Sequence, residues 1–297
     1  MRLLLTGSDG FVGGTLSRVR PCIPLADKDG GVDIRDAGRL RRAIAEIAPD
    51  SVIHLAAQSF VPASFADPLE TYNVNFLGTL NILEALKASG FKGRFLFVGS
   101  GETYGVVGEG DLPVDETRAL RPRSPYAVSK VAAEALCYQW SQCEDFEIVM
   151  TRSFNHIGPG QSDRFVVSDF ARQVVEIRKG LRKPLIITGD IDVSRDFTDV
   201  RDVVRAYLLL LERGTNGEAY NVCSGEEHFI RDILGRLQDF AGVEAAVERD
   251  PSRLRRAELR RMRGSARKLE GDTGWRREFA LTRSLQDVLQ DWESKLS

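Results

Sequence analysis

Short apolar runs alternate with longer amphipathic stretches along the chain, and few architectures accept that rhythm. "RLLLTG", "SVIHLAA", "RFLFVGS" and "FEIVMTR" each read as a buried strand, while "PLETYNVNFLGTLNILEALKAS" reads as helix. A βαβα order predicts an α/β fold in which a parallel sheet is covered by helices on both faces. Ligands of such sheets bind at the carboxyl ends of the strands, so the segments just after each run are where chemistry belongs. Beyond about residue 155 the pattern loosens into "HIGPGQSDRF", helical "SDFARQVVEIRKG" and strand-like "PLIITGD", before "RDFTDVRDVVRAYLLLL" resumes a clear amphipathic helix. A chain of 297 residues therefore suits a nucleotide-type domain with a smaller second lobe threaded back through it.

Charge and cysteine usage narrow the partners. Lys+Arg 41 against Asp+Glu 43 leaves a formal charge of -2, which gives no global pull toward nucleic acid or an anionic membrane and points to small-molecule partners. No long apolar stretch marks a leader or a span, so a soluble, cytoplasmic protein is expected. Cys22, Cys137, Cys143 and Cys223 show no paired spacing, and the three histidines do not join them, so reduced thiols and no metal are expected. The arginine-heavy tract "RDPSRLRRAELRRMRGSARK" fits a solvated helix face or a seat for an anionic ligand.

The first apolar run passes directly into "TGSDGFVGGTL", with Gly7, Gly10 and Gly13 at three-residue spacing where a helix begins. Glycines there permit a tight turn and close backbone approach, so that helix N-terminal amides can hold a pyrophosphate; a plain glycine-rich turn is the other reading. An acid about 20 residues on takes the ribose hydroxyls in such sites, and Asp27 stands there. Lys28 and Arg18 are close enough in sequence to receive a 2′-phosphate instead, which leaves NAD and NADP both open. Asp33 is a second candidate for the adenosine end, or a turn-capping aspartate.

Further along, "SPYAVSK" puts Tyr126 and Lys130 four positions apart in a helical stretch, one turn from each other on one face. Taken alone, the pair fits a solvated helix face as well as a shared ligand.

"GSDGFVG", "HLAAQS", "GSGETYG" and "YAVSK" occur in one order, and together they resemble the extended short-chain dehydrogenase/reductase family, which acts on nucleotide sugars. "RSFNHIGPGQ" and "SRDFTDVRDVVRAY" extend the resemblance over nearly the whole chain, and "DPSRLRRAELRR" is similar to the GDP-mannose branch. The resemblance implies a Rossmann-type doubly wound parallel sheet with a smaller C-terminal α/β substrate lobe. It implies a dinucleotide domain over 1–155 with a return segment at about 190–223, and a nucleotide-sugar lobe over 156–189 and 224–297. A homodimer through two helices of each subunit is implied as well.

For site residues the resemblance implies Ser100, Tyr126 and Lys130 as a catalytic set. Tyr126 would donate a proton to the substrate oxygen. Lys130 would bind the nicotinamide ribose and, together with a positive oxidised nicotinamide when present, draw the tyrosine pKa down toward working pH, and Ser100 would hydrogen-bond the substrate. NADPH or NADH would be held by the glycine turn with Phe11 and Val12, by Asp27, Asp33 and Ile34, and by Leu55, Ala56 and Ala57. Asn75, Ser153, Tyr126 and Lys130 complete that set. The GDP-linked 4-keto-6-deoxy sugar would meet Ser100, Glu102, Tyr126, Asn155, Gln161 and Arg195. Arg255 and Glu258 would read the nucleotide, although the branch's R-P-x-E motif is altered because Arg256 follows Arg255. His54 and His156 read as structural hydrogen-bonding residues.

The implied reaction is reduction of the 4-keto group of GDP-4-dehydro-6-deoxy-D-mannose to GDP-D-rhamnose or its 4-epimer. Glu102 keeps 4,6-dehydration of GDP-mannose as an alternative, because an elimination needs a second acid/base; Gly101, which replaces the side chain usually beside it, speaks for reduction. A dinucleotide-binding sensor without turnover is the non-enzymatic alternative.

Overall fold

The computed structural model describes residues 2–254 and 259–297, and of Asp27 only the backbone. Leu3–Thr6, Ser51–His54, Arg94–Ser100, Glu147–Ser153 and Ala219–Val222 form a parallel sheet with the short strand Ile23–Pro24 on its outer edge. Alternation along these strands sorts their side chains into two cores. Leu3, Leu5, Ile53, Leu96 and Val149 face the helices Phe11–Val19 and Val200–Arg213. Leu4, Val52, Phe95, Phe97, Ile148 and Met150 face Ala37–Ile47, Gly78–Ala88 and Pro125–Cys143. Burial on both sides is why the runs are apolar throughout rather than alternating.

From Leu3–Thr6 the chain goes first to the edge strand and then crosses back to Ser51–His54 on the other side. That reversal opens a crevice at the carboxyl ends of these two neighbours, the usual ligand position in an open α/β sheet.

The second lobe is built around Val166–Arg178, Ile230–Ala241 and Leu281–Lys295, whose apolar stripes meet over Phe170, Val174, Leu237 and Leu285. It carries a three-stranded sheet, Glu227–Phe229, Ser194–Asp199 and Asn155–Ile157, and the pair Ala246–Arg249 with Leu185–Thr188. Of the segment 190–223, Val200–Arg213 packs on the six-stranded sheet and Ala219–Val222 is one of its strands, whereas Ser194–Asp199 pairs inside the lobe. Leu259, Met262, Leu269 and Trp275 return from the C-terminal part to the first core. The buried Asp196 carboxylate ties the two together, accepting from Ser224 N at 2.7 Å, Gly225 N at 3.0 Å and Gly264 N at 3.2 Å.

Candidate active site

A cavity of about 750 Å³ lies between the lobes at the sheet's carboxyl edge, with Gly7, Ala56, Ser100, Tyr126 and Ser153 in its wall. Its floor is the glycine turn. Gly7 adopts φ +69, and a Cβ there would lie 2.8 Å from Ala56 N; a Cβ on Gly13 would run into the Gly7 carbonyl oxygen. Both positions therefore exclude side chains. Gly10 differs, because the only atom near its Cβ position is the Gly7 oxygen at 3.3 Å, which leaves its outer side open to an approaching ligand. The helix Phe11–Val19 starts at Gly10 with no side-chain cap and no acid in its first turn, a polarity that suits a pyrophosphate. This cradle fits a dinucleotide.

His54 fixes the crevice from beneath. Its Nδ1 lies 2.7 Å from Thr6 Oγ1 and its Nε2 lies 3.0 Å from Thr79 Oγ1, and Thr6 Oγ1 also accepts from Ala56 N at 3.0 Å. Burial, with the Lys130 charge adding to it, pushes His54 down to about 3, so it stays neutral.

Ser100, Tyr126 and Lys130 line the same cavity. Ser100 ends its strand, and its Oγ accepts from Glu102 N at 3.2 Å, starting the single turn Gly101–Tyr104. Ser124 caps Pro125–Cys143 by accepting from Ala127 N at 3.1 Å, and Pro125 opens the helix, so Tyr126 stands in its first turn. One turn on, the Lys130 Nζ donates to Val98 O at 2.8 Å, at the end of the strand that carries Ser100. Burial lowers Lys130 to about 8.

Tyr126 departs from the sequence expectation. Burial pushes its hydroxyl up to about 12; the hydrogen bond with Ser100 lowers it and the Glu102 charge raises it further. The Lys130 ammonium, buried and held by Val98 O, does not reverse that direction. The tyrosine is thus built to hold its proton until an oxygen needs it.

Phe11, Val12, Leu55, Ala57, Asn155 and Gln161 line the same cavity, as do Glu102 and Lys130. Arg195 lines a small adjoining pocket together with Ser100, Glu102, Ser153 and Asn155, and its Nη1 donates to Ser194 O at 2.8 Å and Leu259 O at 2.6 Å. Ser153 Oγ lies 2.7 Å from the Tyr207 hydroxyl, which lines the cavity too.

Three residues read as cofactor contacts lie off the cavity wall. Asp33 accepts from Arg35 N at 2.9 Å and pairs with the Arg35 guanidinium, which also reaches Glu70 at 2.7 Å. The hydrogen bonds from Arg35 hold the Asp33 carboxyl below its ordinary value. Ile34 is buried against Gly78. Asn75 sits in a π-helical turn, Asn73–Leu77; its Oδ1 accepts from Gln58 N at 2.8 Å, and its Nδ2 donates to Gln58 O at 3.0 Å and Ser129 Oγ at 2.9 Å. Asn75 therefore fastens the 55–60 loop to the helix of Tyr126. The side chain of Asp27, and Arg255 and Glu258 altogether, lie outside the described residues.

The cavity also holds residues that sequence patterns did not single out. His156, read as structural, does place its Nδ1 3.1 Å from Phe154 O, yet it lines the cavity and stacks near Phe11. Phe60 and Phe165 meet edge to face, ring centroids 6.4 Å apart, across the cavity wall, with Arg164 beside them. Their one sequence signal is position, just after the strands Ser51–His54 and Asn155–Ile157.

Comparison with known proteins agrees with this geometry. The GDP-mannose 4,6 dehydratase family profile matches residues 30–288. The chain is 48% identical over 299 residues to GDP-6-deoxy-D-mannose reductase of Pseudomonas aeruginosa, spanning 99% of this chain and 98% of that protein. It is 29% identical to GDP-mannose 4,6-dehydratase of Vibrio cholerae serotype O1, over 86% of this chain and 76% of that protein. Among solved structures, RMD from Pseudomonas aeruginosa complexed with NADPH superposes with a TM-score of 0.93 at 46% identity, covering 99% of this chain and 100% of that one. UDP-glucose 4-epimerase of Thermus thermophilus, in complex with NAD, superposes with a TM-score of 0.86 at 32% identity, covering 98% of this chain and 99% of that one.

Proposed function

The chain belongs to the GDP-mannose 4,6-dehydratase family, and on that footing we propose that it is an oxidoreductase using NADPH or NADH to reduce the 4-keto group of GDP-4-dehydro-6-deoxy-D-mannose. The product is GDP-D-rhamnose or its 4-epimer. The observation that carries this reading is the near full-length likeness to a protein named GDP-6-deoxy-D-mannose reductase, joined to a cavity that brings Ser100, Tyr126 and Lys130 to one wall.

Gly7, Gly10 and Gly13 would hold the dinucleotide's pyrophosphate, with Lys130 and Ser153 toward its nicotinamide end. When bound, it supplies hydride. The protein's own task is to hold the ketone, exclude water and deliver one proton. Ser100 donates a hydrogen bond to the carbonyl oxygen and polarises it. Tyr126 gives its proton to that oxygen as negative charge develops, and burial keeps it protonated beforehand. Lys130 supplies positive charge that steadies the phenolate left behind. Glu102 binds a sugar hydroxyl, and Asn155 and Gln161 give polar contacts to the sugar. Arg195 takes the diphosphate of the nucleotide sugar, and Arg255 and Glu258 read guanine or its ribose. In this division of labour 1–155, with the return segment at about 190–223, carries the cofactor, while 156–189 and 224–297 carry the nucleotide sugar.

Glu102 supports a second reading, 4,6-dehydration of GDP-mannose, since a carboxylate in the cavity wall could abstract the proton at carbon 5. Incubating the pure protein with the ketosugar and NADPH or NADH, and separately with GDP-mannose and NADP or NAD, separates the two. Cofactor oxidation in the first mixture supports reduction. Ketosugar formed in the second, with no reduction in the first, removes it.

We assign a homodimer and a cytoplasmic location on the same footing. No helix among the described residues is long and apolar enough to cross a membrane. Val128 and Tyr138 on Pro125–Cys143, Leu69 on Pro68–Tyr72 and Leu77 at the end of Asn73–Leu77 are exposed apolar side chains, which supports pairing of that face with a second copy.

A further inference from the structure

The helix Val200–Arg213 lays a stripe of Val203, Val204, Leu210 and Leu211 on the first core, and Tyr207 stands in the middle of it. On the strand Glu147–Ser153, alternation puts Val149, Thr151 and Ser153 on one face, and Val149 belongs to that same core. The contact is apolar at Val149 and ends in three hydroxyls. Thr151 Oγ1 lies 3.2 Å from Ser153 Oγ, and Ser153 Oγ lies 2.7 Å from the Tyr207 hydroxyl. Tyr207 and Thr151 are fully buried, and Ser153 is 7% exposed. Packing does not ask for this: buried hydroxyls cost free energy that their mutual bonds merely offset, and Phe, Val and Ala at these positions would pack without that cost.

The hydroxyls lie where the chemistry is. Ser153 is the register partner of Ser100 on the neighbouring strand, and both line the cavity together with Tyr126, Lys130 and Tyr207. Burial above all, and the nearby Tyr126 in addition, push Tyr207 above the ordinary phenol range, so its hydroxyl stays neutral. With the pyrophosphate on the glycine turn, this end of the cavity receives the nicotinamide. Its carboxamide is a neutral group with one acceptor and two donors, and neutral hydroxyls suit it. A hydroxyl has one proton and two lone pairs; Ser153, between Thr151 and Tyr207, has one of these sites left for a ligand.

We propose that Tyr207 is a positioning residue for the nicotinamide: by holding the Ser153 hydroxyl it keeps that group turned to the carboxamide, and so fixes the ring beside Tyr126. This deepens the reading above and rests on it, since it takes the cavity to hold NADPH or NADH. A serine left to itself samples three staggered rotamers. Thr151, two residues away on the same strand, constrains Ser153 from one side; Tyr207, 54 positions on and from another element, supplies the second constraint.

The test is calorimetric titration of wild type, Tyr207→Phe, Ser153→Ala and the double variant with two ligands: NADPH, and 2′-phospho-ADP-ribose, which lacks the nicotinamide. Tyr207→Phe should raise the Kd for NADPH about threefold and Ser153→Ala about tenfold, with the Kd for the fragment unchanged in both. The double variant should bind NADPH no more weakly than Ser153→Ala alone, because Tyr207 works through Ser153. When the phenol hydroxyl goes, Ser153 still has Thr151 as partner, so Tyr207→Phe strands no donor and should fold, as thermal melts will show. Ser153→Ala leaves Tyr207 in place and tests the ligand contrast independently. In turnover, Tyr207→Phe should lower kcat with the KM for the ketosugar unchanged. Equal losses for NADPH and the fragment in a folded variant overturn the assignment, as do wild-type NADPH affinity in either single variant and additive losses in the double. Wild type that binds NADPH but reduces no ketosugar removes the proposed reaction, and the titrations then still decide Tyr207.

Discussion

Tyr126 and Lys130 stand one turn apart, and burial drives their acidities in opposite directions, up to about 12 and down to about 8. Tyr126→Phe removes only the hydroxyl, so cofactor should still bind while turnover falls by at least about 100-fold; near-wild-type turnover would rule the tyrosine out as proton donor. The sign of the pH response follows from the same shifts. Tyr126 keeps its proton through neutral and mildly alkaline pH, whereas Lys130 loses its ammonium as pH rises through about 8. Reductase activity should therefore decline on the alkaline side with a midpoint near Lys130, and Lys130→Arg, which stays charged, should move that limb upward if it retains activity. A profile flat to about pH 10, the ordinary lysine range, would contradict it. The i, i+4 spacing made the pair legible in sequence. The direction of the Tyr126 shift was not, because burial is a property of the assembled fold, which brings Tyr207 and Ser153 from far along the chain to the same cavity. At Asp33 both readings of the sequence stood open, a cofactor contact or a turn-capping aspartate, and the structure shows its bonds with Arg35, two residues on.

At the scale of elements, the glycine turn divides into two kinds of position. A side chain at Gly13 collides with backbone, whereas one at Gly10 meets only the Gly7 oxygen at 3.3 Å and otherwise points where the ligand comes. Gly13→Ala should lower the melting temperature and abolish NADPH binding together. Gly10→Ala should keep the melting temperature near wild type and weaken NADPH selectively, as calorimetry beside thermal melts will show. Equal destabilisation by the two would mean that the turn is only structural. The strands and their glycine endings were readable because a doubly covered parallel sheet demands continuous apolar runs. The π turn at Asn73–Leu77 was not, since nothing in "NVNFL" distinguishes it from regular helix; its role appears only where Asn75 meets Gln58 and Ser129. Ser194–Asp199 likewise reads as part of a return to the first sheet, yet its partner is set by register against Asn155–Ile157.

For the whole molecule, the proposed pairing through Val128 and Tyr138 of Pro125–Cys143, with Leu69 and Leu77 beside it, would assemble two 33.0 kDa chains. Sedimentation should give twice the chain mass, and Val128→Glu with Tyr138→Glu should return it to one; a monomeric wild type would leave those side chains unexplained. In the sequence that face rests on family resemblance alone, because single exposed apolar residues are common. The cavity was foreseen in place but not in full, as Phe60, Arg164 and Phe165 come from separate segments without a motif. The central claim concerns where hydride goes, and isotope transfer reads it directly. Protein incubated with GDP-4-dehydro-6-deoxy-D-mannose and NADPH deuterated on the transferred position should give a 6-deoxy sugar nucleotide carrying deuterium at carbon 4 in the NMR spectrum. No transfer in that mixture, together with conversion of carbon-4-deuterated GDP-mannose into a ketosugar labelled at carbon 6, would contradict it and make Glu102 the base of a dehydratase.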